Sequence, residues 1–411
     1  MLTAINEINI PIPYTSKKAE LILAGKNLII TGGNGSGKTS FIRSIYDFLS
    51  SGINNPTNND RGALERRLAN HASSMRDEGR DGESFEFHEK RYKEYQLRLK
   101  QLDEFDIKTQ NNENSETRSL LRFHKAMREA NISQPKSVPR LSTIFDEHEH
   151  FSNNKDGDNI FENYLISLKT AQSYAISFEN DLKHAESIQR WFDKIENDLK
   201  GLFEDETLKL KFSSKEGKFF LQQRGKDDFS FQTLSSGYSS ILAIYADLIM
   251  RVEMWRLTPE SIEGIIFIDE IDAHLHVSLQ KQILRFFSES FPKVQFIVTT
   301  HSPFVVTSVT DAIIYDLSSN EQVQDVSSYS YDIILKEIFG VLPISNILTE
   351  KLEQIENLIF NLNKEKANAA SDIIRSLALS EDILDTDSGA FIEFAKLKIN
   401  QFNKNNEEEG E

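Results

Sequence analysis

Hydrophobic and polar positions change period several times along the chain, and each change marks an element. Ile8 to Ile12 and Ala19 to Leu23 read as short strands. Asn27 to Thr31 is continuously apolar and β-branched, as a strand buried on both faces of a parallel sheet should be. From Ser40 to Leu49 the apolar residues recur at helical spacing. Asn55 to Asp60 is a turn-rich break. Beyond it Arg61 to Leu102 is highly charged and helical in character, with an interruption at Asp77 to Gly82. Gln110 to Asn114 forms a second polar turn, and Thr117 to Ala130 reads as helix. Arg140 to Phe145 reads as a strand returning to the core, which would bring Asp146, Glu147 and His148 toward the phosphate site. The acidic, asparagine-rich piece through Asn159 reads as loop. Phe161 to Phe203 is helical, with Ile188, Trp191, Phe192, Ile195 and Leu199 on one stripe. Leu208 to Phe212, Lys218 to Gln223 and Phe229 to Thr233 alternate like strands. A long apolar helix is predicted over Ile241 to Trp255. Buried strands are predicted at Ile265 to Ile268, Val294 to Thr299 and Ala312 to Leu317. Tyr331 to Phe339, Leu348 to Asn361 and Asn368 to Leu377 read as small amphipathic helices.

Candidate chemistry sits where these elements meet. Between the third strand and the first helix run Gly32, Gly33, Asn34, Gly35, Ser36, Gly37, Lys38, Thr39 and Ser40. Glycine, four residues, then Gly-Lys-Thr is the phosphate-binding loop, and strand–turn–helix is the context it needs. The glycines let backbone N–H groups converge on phosphate oxygens, and the helix start adds partial positive charge. Lys38 is placed to reach the β- and γ-phosphates of ATP, and Thr39 to hold Mg2+ through its hydroxyl. The strand at Ile265 ends in Asp269 and Glu270. Asp269 would stand beside the Mg2+ site, and Glu270 would polarise a water for attack on the γ-phosphate. The strand at Val294 ends in Thr300 and His301, so His301 points toward the ligand crevice as a γ-phosphate partner. Ser235, Ser236 and Gly237 open the long apolar helix and present free N–H groups and hydroxyls at its positive end.

Composition narrows the class. The chain has 411 residues and no cysteine, which excludes disulfides, thiolate zinc sites and cysteine nucleophiles. No basic-then-apolar leader and no run of membrane-spanning length is present, so a cytoplasmic protein without a membrane partner is expected. A formal charge of −17 makes the whole surface repel nucleic acid, so DNA or RNA could be met only through a local basic patch. The charged stretch from Arg61 to Lys100 is slightly basic, and a solvated helix face explains that by itself. Its apolar repeat is too irregular for a long coiled coil.

The order of motifs resembles the ABC-type ATPase heads: phosphate loop, Leu234-Ser235-Ser236-Gly237, strand-Asp269-Glu270, strand-Thr300-His301-Ser302-Pro303. The helical insertion between the first two is similar to the SMC and OLD branches. The motif wording is similar to stand-alone bacterial ATPases, among them those of Septu and retron anti-phage systems. The resemblance implies an α/β P-loop NTPase head with an inserted helical, short coiled-coil-like arm and a C-terminal helical tail. The head would comprise residues 1–51 and 205–330, the arm and returning core segments 52–204, and the tail 331–411. It implies ATP and Mg2+ as ligands, and a homodimer or higher oligomer in which Ser236 and Gly237 of one copy touch the γ-phosphate held by another. Asp272 to His276 would cross that interface, although His276 stands where transporter cassettes carry aspartate, and Tyr238 also departs from them. The family's glutamine loop has no clear counterpart. Tyr14 lies where such proteins stack an aromatic ring on adenine, but a structural tyrosine is the simpler reading. His274 and His276 alternate near carboxylates without making a convincing metal site. The tail is too short for the nuclease domain of OLD enzymes, so the resemblance implies a separate nuclease subunit, of HNH type in Septu systems. Two alternatives stay open: a RecF- or SMC-like repair ATPase acting directly on DNA, and an ATP-dependent assembly scaffold with little turnover.

Overall fold

Parallel strands carry the site, and their order sets its shape. The computed structural model describes residues 2–78, 84–111, 119–132, 139–148, 152–153, 155–324, 326, 328–377 and 385–408. The strands among them are β1 (Leu2–Pro11), β2 (Lys18–Ile22), β3 (Asn27–Thr31), β4 (Asp106–Asn111), β5 (Ser119–His124), β6 (Lys209–Ser213), β7 (Lys218–Gln222), β8 (Glu263–Ile268), β9 (Val294–Thr299), β10 (Ala312–Asp316) and β11 (Glu321–Gln324). The α-helices are α1 (Lys38–Asn54), α2 (Arg61–Glu78), α3 (Phe85–Glu104), α4 (Leu141–Glu147), α5 (Phe161–Tyr174), α6 (Leu182–Phe203), α7 (Ser236–Met254), α8 (Val277–Gln280), α9 (Ile283–Ser290), α10 (Pro303–Val306), α11 (Tyr331–Glu337), α12 (Asn346–Phe360), α13 (Lys364–Leu377) and α14 (Thr386–Glu408).

The principal sheet has the order β11-β10-β3-β9-β8-β5. From β10 to β5 every pairing is parallel, and β11 closes the other edge antiparallel. The parallel strands are apolar throughout because helices or a second sheet cover them: Leu28 to Ile30 and Ile265 to Ile268 are fully buried. The second sheet, β2-β1-β4, is antiparallel. β2 alternates as a strand of a one-sided sheet should, β1 shifts register twice against β4, and the sheet packs Ile8, Ile10 and Leu21 into the core that also holds Ile30, Phe41 and Ile45. Gln295 on β9 ties the layers together. Its Nε2 donates to Ile5 O (3.0 Å) and Lys26 O (2.6 Å), while its Oε1 accepts from Ile5 N (2.7 Å). A buried amide satisfied on both ends stabilises, where a half-satisfied one would cost about 1–3 kcal/mol.

Helices α2 and α3 form the arm as an antiparallel pair. Almost no apolar side chain is buried there; contacts between cations and rings, and ion pairs, hold the two together. Arg98 lies 4.2 Å over the Phe48 ring and donates to Asn58 O (3.1 Å) and Asn59 Oδ1 (2.7 Å). Arg67 stacks on Tyr95, and Arg61 joins Glu65 on its own helix to Asp103 on the other.

Four elements differ from the sequence expectation. The stretch Thr117 to Ala130 is not helix; its described part holds strand β5, paired with β8 from Ser119–Glu263 to His124–Ile268. A short buried strand has no period to read, and the neighbouring strand decides its state. Arg140 to Phe145 is not a strand: α4 starts at Leu141, and Phe145 packs edge-on against Tyr164 of α5. The β-branched residues there suggest extended chain, and tertiary packing overrides them. Phe229 to Thr233 contributes one bridge, Leu221–Phe229, before a 3-10 turn. Phe161 to Phe203 is two helices joined by a π-turn, broken where Asn180 turns left-handed and Asp181 caps α6. Asp77 and Glu78 are still in α2, and the rest of the expected Asp77–Gly82 interruption and most of the Gln110–Asn114 turn lie outside the described residues.

Residues Ser330–Glu411 form a second compact unit. Its own core joins Ile355, Ile359, Ala370, Ile374, Ile392 and Ile399 from α12, α13 and α14. No element is expected beyond Leu377 from sequence; α14 is polar on average, and only the spacing of Ile392, Ala395 and Ile399 marks its buried stripe.

Candidate functional site

The C-terminal ends of β3, β8, β9 and β10 open onto one edge of the principal sheet, where ligands of open parallel sheets bind. β3 runs directly into the loop Gly32–Gly37 and then α1. The turn into α1 needs a left-handed residue: Gly37 has φ 92° and caps the helix without any side-chain hydrogen bond. The first-turn N–H groups of α1 therefore keep their donors directed at the loop. Gly33 N donates to Ser318 Oγ (2.9 Å), which fastens the loop to the end of β10. Ser36 Oγ is buried with no hydrogen-bond partner among the described residues.

Lys38 is buried and folds its ammonium onto the loop, donating to Gly32 O (2.9 Å) and Gly33 O (3.1 Å). Burial pushes its pKa down, opposed by Glu270, Asp269, Asp272 and Asp316 around it. Thr39 Oγ1 donates to Asp269 Oδ1 (3.2 Å), and Thr299 Oγ1 donates to the same oxygen (2.7 Å). The hydroxyl at the start of α1 and the carboxylate at the end of β8 are thus adjacent although β9 lies between their strands. Two hard oxygens side by side fit Mg2+, which keeps water and substrate phosphate for its remaining positions. Among the described residues no group of three or more His, Asp or Glu is placed to hold a metal ion by itself.

Glu270 follows in a left-handed conformation, φ 47°, unusual for a side chain this size. Its N–H donates to Thr299 Oγ1 (2.7 Å), and Ile271 N donates to Thr299 O (3.0 Å), so β9 fixes the turn. His301 sits between Thr300, whose hydroxyl donates to Asp272 (2.6 Å), and Ser302, which caps α10. Tyr14 is 95 % exposed and left-handed, φ 64°, so it is not a packed structural tyrosine. Pro13 O, next to it, lies 3.9 Å from where a Cβ on Gly37 would be.

Ser235 and Ser236 are exposed at the start of α7, which also lacks a side-chain cap. Gly237 is buried against the Asp272–His276 loop of the same chain: a Cβ there would come within 2.7 Å of His274 O. The structure thus brings Lys38 and Thr39 together with Asp269 and Glu270 at the sheet edge, while His301 follows the end of β9. Ser235–Gly237 belong to the neighbouring loop rather than to the phosphate loop.

Three residues escape the sequence reading, Arg128 first among them. Arg128 is half-buried just past β5, and its Nη1 donates to Lys125 O and Asp269 O (both 2.9 Å). Its Nη2 donates to Glu270 O (3.3 Å) and Ile271 O (3.2 Å). Burial brings its pKa down to about 10, with Asp272, Asp269 and Glu270 opposing. The guanidinium thus grips the backbone of the acidic turn. The chain then runs on to Ala130, whose N–H donates to Ser239 Oγ of α7 (2.9 Å). Carbonyl partners leave no trace in a sequence, so only the arginine itself was visible. Thr299 and Ser318 were equally overlooked; Thr299 at least stands next to a noted motif.

Behind the site lies a closed charge network. Asp247 of α7 accepts from Arg122 Nε (3.0 Å) and Arg251 Nε (3.1 Å) on one oxygen, and from Gly157 N (2.7 Å) and Arg251 Nη2 (3.1 Å) on the other. Arg251 also donates to Ser152 O and Lys155 O. The arginines hold the Asp247 carboxyl well below the usual carboxylate range despite burial. Burial brings His124, beside it, down to about 3.

The family described as "AAA domain, putative AbiEii toxin, Type IV TA system" matches residues 28–307. "Retron Ec83 probable ATPase" of Escherichia coli is 34 % identical over 142 residues, 31 % of this chain and 25 % of that protein. "Septu protein PtuA" of Bacillus mycoides (strain KBAB4) is 31 % identical over 166 residues, 40 % of this chain and 21 % of that one. "Retron Vc95 probable ATPase" of Vibrio cholerae serotype O1 biovar El Tor is 25 % identical over 364 residues, covering 74 % and 69 %. The chain thus spans about a quarter of the first relative's length and about a fifth of the second's. The resemblance to stand-alone ATPases of Septu and retron type holds, and the fold is an α/β P-loop ATPase fold with helical regions. No helix among the described residues is long and apolar enough to cross a membrane.

Proposed function

This chain belongs to the family described as AAA domain, putative AbiEii toxin, Type IV TA system, and from that premise we propose that it is an ATP-hydrolysing subunit of an anti-phage defence system. ATP sits on Gly32 to Ser40, with the loop N–H groups and the start of α1 facing its phosphates. Lys38 leaves its loop carbonyls for the β- and γ-phosphates. Thr39 and Asp269 hold Mg2+, which when bound neutralises charge on the phosphate oxygens. Glu270 orients and deprotonates the attacking water, and His301 hydrogen-bonds the γ-phosphate. Ser235, Ser236 and Gly237 complete the site of a second copy, so the chain works as a dimer or larger oligomer. Tyr14 is free to stack on adenine. Occupancy of the paired sites controls a separate nuclease subunit, of HNH type on the Septu likeness.

The observation that supports this reading most is the Thr39–Asp269 contact. A hydroxyl from the phosphate loop and a carboxylate from another strand end meet at the sheet edge where a phosphate-bound cation would be shared. The test is single-turnover ATP hydrolysis with sedimentation in ATP and Mg2+. Wild type should hydrolyse and cycle between states. Glu270→Gln should cut hydrolysis by about 100-fold or more and accumulate the ATP-bound oligomer. Equal hydrolysis by both proteins would remove Glu270 from its role. Against the direct DNA-acting alternative, Arg61, Arg67 and Arg98 of the arm are engaged with neighbours inside the arm and its base.

A further inference from the structure

The second unit, Ser330–Glu411, contains a cavity of about 620 Å³ that plays no part in the nucleotide chemistry. That volume lies in the range of real binding pockets. Its floor is apolar: Ile333 of α11, Leu342, Leu352 of α12 and Phe391 of α14. Leu352 and Phe391 rest on the unit's own core, so the floor continues that core outward. Ile333 and Leu342 are 47 % and 50 % exposed, a large apolar face for so small a unit.

The rim is predominantly acidic. Asp332 and Glu337 stand on α11, Glu353 and Glu356 on α12, and Asp385 and Asp387 at the start of α14. The single cation among the lining residues, Lys336, lies 3.7 Å from Asp387 and answers only one of them. Asp385 adds an independent sign. One of its oxygens accepts from Ser388 N (3.0 Å), while the other is buried and meets no hydrogen-bond donor among the described residues. A buried carboxylate oxygen without a donor is costly, and an incoming cation relieves it.

We propose that this groove docks a basic amphipathic helix of a partner protein, its apolar side on Ile333, Leu342, Leu352 and Phe391 and its Lys or Arg residues on the acidic rim. Helices flank the groove, and a helix laid in it gives apolar anchors at i, i+3 and i+4 with basic residues to either side. Nucleic acid and anionic membranes are repelled by the same rim. The inference stands apart from the ATPase reading, since no residue of the sheet edge enters it.

The test uses the full chain and a fluorescein-labelled helical peptide of Leu and Lys, followed by anisotropy at physiological salt. A Lys/Ser peptide of equal charge and a Leu/Glu peptide of the same pattern serve as probes of charge alone and shape alone. Saturable 1:1 binding of the Leu/Lys peptide only is expected. Glu353→Lys with Glu356→Lys should weaken it by about tenfold or more, with an unchanged circular-dichroism melt. The paired substitutions Glu179→Lys and Glu186→Lys, on exposed sites far along the chain, should leave it intact. Equal binding of the Lys/Ser peptide, or equal loss in both double variants, would overturn the proposal. A changed oligomeric state of the Glu353/Glu356 variant, without any peptide, would make the groove a contact between copies and overturn it too.

Discussion

Two charged clusters lie on either side of β5, and they are satisfied to opposite degrees. Around Asp247 each carboxylate oxygen has two donors, from Arg122, Arg251 and Gly157 N, and the two arginines also donate to the carbonyls of Ser152, Asn153 and Lys155 and to the Asp156 carboxylate. At the sheet edge the charges are left facing a space: α1 and α7 begin without side-chain caps, Ser36 Oγ has no partner among the described residues, and Lys38 falls back on its own loop. Elsewhere helices beginning after Ser302, Ser330 and Ser345 are capped by those serines. Polar groups that complete one another hold a fold; polar groups held apart are available to a ligand.

The contrast is broken most severely at Asp247. Asp247→Ala strands two buried guanidiniums, at a cost of about 3–5 kcal/mol. The melting midpoint of the first unit should fall by roughly 10 °C. A shift of a degree or two would mean the network contributes little. Lys38→Ala should do the reverse: nucleotide binding, followed by a fluorescent ATP analogue, is lost, while stability changes by about 1 kcal/mol or less. An unfolded Lys38→Ala protein would contradict the division between the two clusters.

Arg128 sharpens the comparison because it belongs to both sides, its guanidinium fully engaged like those of the network yet gripping the Asp269–Ile271 turn. Arg128→Lys keeps the charge and loses the fork. Turnover of ATP should drop on the order of 10–100-fold through misplacement of Glu270, with KM for ATP nearly unchanged. A matched rise in KM would assign Arg128 to binding instead.

The smallest effect is acid sensitivity. His124 is neutral in the folded state, its pKa brought down to about 3 from an ordinary 6.5. Above pH 6.5 neither folded nor unfolded chain binds that proton, and the stabilisation is complete. As pH falls toward 3 the unfolded chain takes the proton first, so stability declines across that window. His124→Gln should flatten the decline in melting temperature between pH 6.5 and 4. An identical slope in the variant would place the acid sensitivity in the carboxylates.

The two clusters also differ in how far the amino-acid order reveals them. Gly32 to Thr39, Asp269–Glu270 and His301 are legible because a tight turn and a strand end fix side chains within a few residues of one another. Asp247, Arg122 and Arg251 are visible only as charges in apolar stretches. Arg128 has partners 141 to 143 residues away on backbone oxygens, which any residue could supply. The same distance effect hid β5: its state is set by β8, not by its own pattern.

The base of the arm has a last consequence. Arg61 with Asp103, and Arg98 with Asn58 and Asn59, cinch the outgoing and returning segments at one neck. Everything beyond that neck is a cassette. A longer, shorter or wholly foreign hairpin spliced there would leave β1 to β4 and the phosphate loop in register, so the reach of the molecule can evolve independently of its chemistry.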